Sequence, residues 1–222
     1  IWKMGLTPEG GAAAASHTGS LAGSKDVWMG IVRQAGVITV SGFEEWVDAI
    51  MGFSMLPPHI GNRIAIISGP GGLAVSAAEA AGREGLCLPG LSPETRTALK
   101  KIVPPTGTSL GNPIDVGMSA SLEIDIYLQA FRIVASDPGI DAVVLIGIGM
   151  DEATNRYYTE AMIRMKNDFN KPLLMVKIPG FDETLTSDIR RAGIPLFESA
   201  ERAMGIYAKA FRYYSWRKNT AS

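Results

Sequence analysis

Apolar residues recur along this chain with two alternating periods. Trp28, Ile31, Val32 and Ala35 fall at i, i+3, i+4 and i+7, the stripe of one helix face. Ser24 stands before that stripe as a candidate N-cap and Gly36 after it as a stop. The β-branched run Val37-Ile38-Thr39-Val40 predicts a strand, and Phe43, Trp46, Val47 and Ile50 repeat the helical spacing. Residues 52–61 follow neither period and hold a proline pair. They predict a boundary, with a linker at 56–61 between a segment of residues 1–55 and a domain of residues 62–222. His59 reads as a surface histidine of that boundary.

Beyond it the alternation restarts. Arg63 to Ile67 predicts a strand, Ser68 to Gly72 a turn, and Leu73 to Arg83 a helix rich in small residues. Further helices are expected over 93–101, with Ser92 as cap, around Ile124, Tyr127, Leu128 and Phe131, and over 152–167 and 182–192. A last helix over 199–216 carries Tyr207, Phe211 and Tyr214 on one face. Its basic residues Arg212, Arg217 and Lys218 suit a helix C-terminus. Strands are expected at 142–146, where the unbroken apolar run suits burial on both faces, at 173–176 and at 194–197. This is the pattern of an α/β domain: a flavodoxin-like, doubly wound parallel sheet of about five strands, preceded by part of a second α/β domain.

Composition narrows the function classes. Across 222 residues, 46% are hydrophobic and 19% charged, enough apolar material for a sizeable core. The net charge of −1, from 21 basic and 22 acidic residues, argues against nucleic acid or a membrane surface as partner. One cysteine, Cys87, excludes an intrachain disulfide framework, and with two histidines in the chain no metal site is expected. Cys87 reads as a small core residue. No apolar run approaches the ~18 residues of a membrane span, and no signal peptide opens the chain, so a cytoplasmic protein is expected. Its first residue is not Met, and a piece of something longer is expected.

Two segments can carry chemistry. Residues 10–24 hold no side chain large enough to build a core, yet place His17 between Ser16 and Thr18, with Gly19 following. They read either as a flexible surface loop or as a mobile loop presenting an imidazole nucleophile, whose unperturbed pKa of ~6.5 leaves it neutral and reactive near pH 7. The second is Ser68-Gly69-Pro70-Gly71-Gly72-Leu73-Ala74, after a strand and opening a helix. Backbone N–H groups at such a helix start can hold an anion, and Gly69, Gly71 and Gly72 permit its close approach; the alternative is a structural tight turn. The run also fits a loose dinucleotide pattern, but Leu86-Cys87-Leu88-Pro89-Gly90 stands where the acidic ribose ligand is required. Asp115, in Gly111-Asn112-Pro113-Ile114-Asp115-Val116-Gly117, either caps a backbone loop or faces the ligand crevice.

Together these segments resemble the NDP-forming acyl-CoA synthetases, the superfamily of succinyl-CoA synthetase and ADP-forming acetate–CoA ligase. The run from Ser16 to Ser24 is similar to the family's phosphohistidine loop, and the likeness resumes at 66–74, 111–116, 137–143, 171–172 and 193–195. It implies that residues 1–55 are the C-terminal part of a succinyl-CoA-synthetase-like domain and residues 62–222 a ligase-CoA domain. It further implies that His17 accepts a phosphoryl group from an acyl phosphate and carries it to ADP or GDP. Ser16, Thr18, Gly19, Gly69, Gly71 and Gly72 would bind the phosphate, with capping or loop hydrogen bonds as the alternative for Ser16 and Thr18. CoA, ATP or ADP and Mg2+ would serve the complete enzyme, with an ATP-grasp domain or subunit and a CoA-binding domain as partners in an oligomer. Gly5-Leu6-Thr7-Pro8-Glu9-Gly10 lacks the Arg found after the first Gly in many relatives, and the carboxylate that steadies the histidine is expected before Ile1. The alternatives are a ligand-sensing module of a fused protein acetyltransferase and a nucleotide-binding oxidoreductase domain.

Overall fold

The computed structural model describes residues 1–18, 23–117, 123–147, 151–178 and 180–220. Five parallel strands make one sheet: β1 (Ile64–Ser68), β2 (Ile114–Asp115), β3 (Ala142–Ile146), β4 (Leu173–Val176) and β5 (Leu196–Phe197), in the order β2-β1-β3-β4-β5. Every residue of β1, β3 and β4 is buried, which is why these strands read as unbroken apolar runs rather than alternating ones. Ala65, Ile67, Val143 and Leu145 feed one core, shared with α5 (Pro93–Leu99), α6 (Ile124–Ala135), α7 (Glu152–Met165) and α8 (Glu183–Arg191). Ile64, Ile66, Val144 and Ile146 feed the other, under α4 (Gly71–Arg83) and α9 (Ala200–Thr220). The order is the flavodoxin-like one, and the chain reverses direction across the sheet between β1 and β3.

The N-terminal segment departs from expectation in three places. Residues 8–18 are not loop but helix α1 (Pro8–Thr18). Thr7 Oγ1 accepts the Gly10 N–H at 3.1 Å and Pro8 takes the first helical position, while Ala12 to Ala15 supply the strongest helix propensity and outweigh Gly10 and Gly11. The expected strand at 37–40 is reduced to a single parallel bridge between Val40 and Trp2. The helix expected from Phe43 runs on as α3 (Phe43–Met55), so residues 52–55 belong to it and not to the boundary. α2 (Lys25–Gln34) begins after Ser24 as expected, though the Ser24 side chain makes no capping bond, and Gly36 ends it at φ +61°.

α3 joins the rest of the chain through the face opposite its apolar stripe. Asp48 is buried and pairs bidentately with Arg202 of α9, Nε to Oδ2 at 2.5 Å and Nη2 to Oδ1 at 2.9 Å. Gly52 meets Ile206, and Phe53 stacks edge-on against Tyr213. Phe43, Trp46, Val47 and Ile50 face outward instead, with Trp2 against the first two. The last helix extends to Thr220, four residues past expectation. Cys87 is exposed, not a core residue, because it ends the segment whose backbone pairs with Arg63 at the sheet's amino end.

Candidate functional site

The carboxyl ends of β1 and β3 border the switch point, where open α/β sheets bind ligands. β1 ends at Ser68, whose buried hydroxyl donates to the Pro70 carbonyl at 2.9 Å and fixes the turn. α4 starts at Gly71, and among the described residues no side chain caps its first turn. Leu73 and Ala74 donate back to the Pro70 carbonyl at 3.0 and 3.3 Å, and a Cβ built on Gly72 would meet nothing within 4 Å. The start of this 13-residue helix therefore carries free donors and the positive end of its dipole, with open space beside Gly72.

Neighbouring backbone and side chains close in on the other sides. Gly147 follows β3 at φ +70°, and a Cβ there would lie 2.9 Å from Ile178 and 3.4 Å from Pro70. A Cβ on Gly69 would stand 3.4 Å from the Tyr127 ring, so the turn rests directly on that ring. Tyr127 is fully buried and donates its hydroxyl to the Ile146 carbonyl at 2.6 Å. Burial, reinforced by the charge of Asp115, pushes its phenol well above the ordinary range and keeps it a donor.

Asp115 does both things the sequence left open. Its Oδ1 accepts the Gly117 N–H at 2.8 Å and holds the chain after β2. Its Oδ2 leans over the helix start, 2.6 Å from where a Cβ of Gly71 would stand. Asn112 is a residue the sequence did not mark. Its side chain accepts from Ile66 N–H at 3.1 Å and donates to the carbonyls of Ile64 and Pro89, tying the β2 approach to β1.

The remaining expected site residues lie on α1. His17 is exposed on its last turn, and Ser16 spends its hydroxyl on the Ala13 carbonyl at 2.8 Å, inside the helix. Thr18 is the last helical residue, and Gly19 lies outside the described residues. The three glycines gather at the switch point and the histidine lies on α1, with no hydrogen bond between them among the described residues. His59 is exposed, as expected. Among the described residues no group of three His, Cys, Asp or Glu side chains could hold a metal ion, and no helix is long and apolar enough to cross a membrane.

Two family descriptions match the chain: succinyl-CoA ligase like flavodoxin domain over residues 1–53, and Ligase-CoA domain over residues 64–170. The alpha subunit of acetate–CoA ligase [ADP-forming] II from Pyrococcus furiosus is 31% identical over 98% of this chain and 47% of its own length. The 4-hydroxybutyrate–CoA ligase [ADP-forming] of Nitrosopumilus maritimus is 26% identical over 99% of this chain and 31% of its own. The chain thus spans half or less of the length of these curated relatives. Dinucleotide forming acetyl-coenzyme A synthetase 1 of Ca. Korarchaeum cryptofilum, solved in complex with phosphate and ADP, shares the fold at a TM-score of 0.86 over 100% of this chain and 48% of its own, with 23% identity.

Proposed function

We propose, from the place of this chain in the NDP-forming acyl-CoA synthetase family to which it belongs, that it is the phosphoryl-relay part of a cytoplasmic acid–thiol ligase. In the complete protein an acyl-CoA and phosphate give an acyl phosphate and free CoA. A neutral imidazole nitrogen of His17 then attacks phosphorus; the N–P bond forms as the P–O bond to the acyl oxygen breaks, and a carboxylate leaves. ADP or GDP attacks the phosphohistidine in turn and leaves as ATP or GTP. The nucleotide, its Mg2+ and most of the CoA are held by an ATP-grasp and a CoA-binding domain or subunit outside this chain, in an oligomer.

The observation that carries this reading is the uncapped start of α4 at the switch point. The transferring phosphoryl group gathers charge on its oxygens. Fixed N–H donors at Gly71 and Gly72 can meet that charge without rearranging. Exposure of His17 at the end of α1 suits a nucleophile that must visit two sites, with Ser16, Thr18 and Gly19 beside it as further phosphate contacts after a local rearrangement. The full-length protein given ATP is expected to take up an acid-labile, base-stable phosphate, and His17→Ala to lose it. Equal labelling of the variant would overturn the assignment.

A further inference from the structure

Among the described residues, three oxygens on the inner face of α7 find no hydrogen-bond partner and expose no surface to water: Asn155 Oδ1, Tyr158 OH and Thr159 Oγ1. Their residues are 7%, 0% and 2% exposed. At i, i+3 and i+4 they share one side of the first two turns. A buried polar atom left unpaired costs about 1–3 kcal/mol, and a natural domain keeps few of them. Three within five residues is a concentration that packing alone does not require, since Phe, Val and Leu fill the same space without it.

Their place in the fold is specific. α7 begins five residues after Gly147, so its first turns stand at the carboxyl edge of the sheet. The Tyr158 ring meets Tyr127 edge-on, centroids 6.3 Å apart, and Tyr127 in turn forms the floor under Gly69. Burial pushes the Tyr158 phenol well up, so it stays an uncharged hydroxyl. The group is neutral throughout and lies in the core shared by α6 and α7, one ring away from the turn that opens α4.

We propose that Asn155, Tyr158 and Thr159 form a closed subsite for an uncharged hydrogen-bonding group of the organic substrate, an amide N–H or a hydroxyl. Asn155 Oδ1 accepts that proton, and the two hydroxyls complete its shell. Asn155, the outermost of the three, is reached first, and the opening turn of α7 shifts outward to admit the group. The unpaired oxygens of the free chain make that shift easier, because opening relieves them. The inference rests on the ligase reading, and two sources offer this chemistry: the amide-bearing arm of CoA or a hydroxyl on the acyl chain.

Tyr158→Phe and Thr159→Val, singly and together, delete the hydroxyls and keep the shape. In the full-length protein without substrate, the double variant is expected to melt several degrees higher. Its KM is expected to rise at least fivefold for one organic substrate, with KM for phosphate unchanged. A rise for CoA assigns the CoA arm, and a rise for the carboxylic acid assigns the acyl chain. A lower melting temperature would overturn the proposal, since the hydroxyls would then have partners in solution; so would a higher one with every KM unchanged. If the parent protein shows no ligase turnover, the ligase reading falls, and calorimetric titration with CoA alone decides this one. Binding weakened at least fivefold in the double variant sustains it, and unchanged or absent binding overturns it.

Discussion

Asp115 sets a condition on any anion at the start of α4. Its Oδ2 already leans over Gly71, and among the described residues no cation pairs with it. Two unit charges ~4 Å apart repel by about 4 kcal/mol at an effective dielectric constant near 20. Asp115→Asn keeps an acceptor for the Gly117 N–H and removes the charge. We expect phosphate binding to tighten at least tenfold, read by calorimetry on the full-length protein with ADP present. Unchanged affinity would leave Asp115 as a turn cap alone. The convergence of Asp115 on Gly71 was half legible in the sequence. The acidic residue stood out from its apolar neighbours, but which end of the sheet it faced depended on β2, whose two residues make no periodic signal. Tyr127 was hidden differently: its spacing with Ile124, Leu128 and Phe131 marks a core residue, which it is, and only the fold shows its hydroxyl beneath the switch point.

At the scale of elements, glycines decide how closely helices approach. Gly52 of α3 sits against Ile206 of α9, and an added Cβ would collide with its Cγ2. Gly52→Ala is therefore expected to cost about 1–3 kcal/mol by overpacking, against a gain of at most ~1 kcal/mol from helix propensity. Denaturant unfolding of the protein checks the sign. An exposed glycine such as Gly82, with nothing within 4 Å of an added Cβ, should respond oppositely to Ala. Long strands and helices were readable because burial on both sheet faces and strong helical stripes leave uninterrupted patterns. α1 was not, because two glycines and a string of alanines carry no amphipathic contrast; propensity and the Thr7-Pro8 start are what make it helical. α3 shows the limit of the stripe itself. Its apolar side points outward, and a charged pair anchors the other side.

For the molecule as a whole, acid is the expected weak point. The Arg63 guanidinium, bonded to both Asp141 oxygens at 2.6 and 3.0 Å, holds that carboxyl below its ordinary range. Burial pushes Asp137 up, but the N–H groups of Ser92 and Gly139 and the Thr95 hydroxyl outweigh it and bring the carboxyl down. Groups lowered in the folded state bind protons more readily once unfolded. Their stabilisation is complete above the unfolded value of ~4 and is lost as pH falls through the lower folded value. Stability should thus fall below about pH 4, and Asp141→Asn should flatten that slope while lowering stability at pH 7, as measured by urea unfolding across pH.

Both outer strands, β2 and β5, are only two residues long, whereas the inner three have four or five. Borders that brief offer an incoming polypeptide almost no ladder to extend. A protein partner meeting this sheet would therefore have to fit its side chains to helices and loops, a contact that can open and close without unzipping backbone pairs.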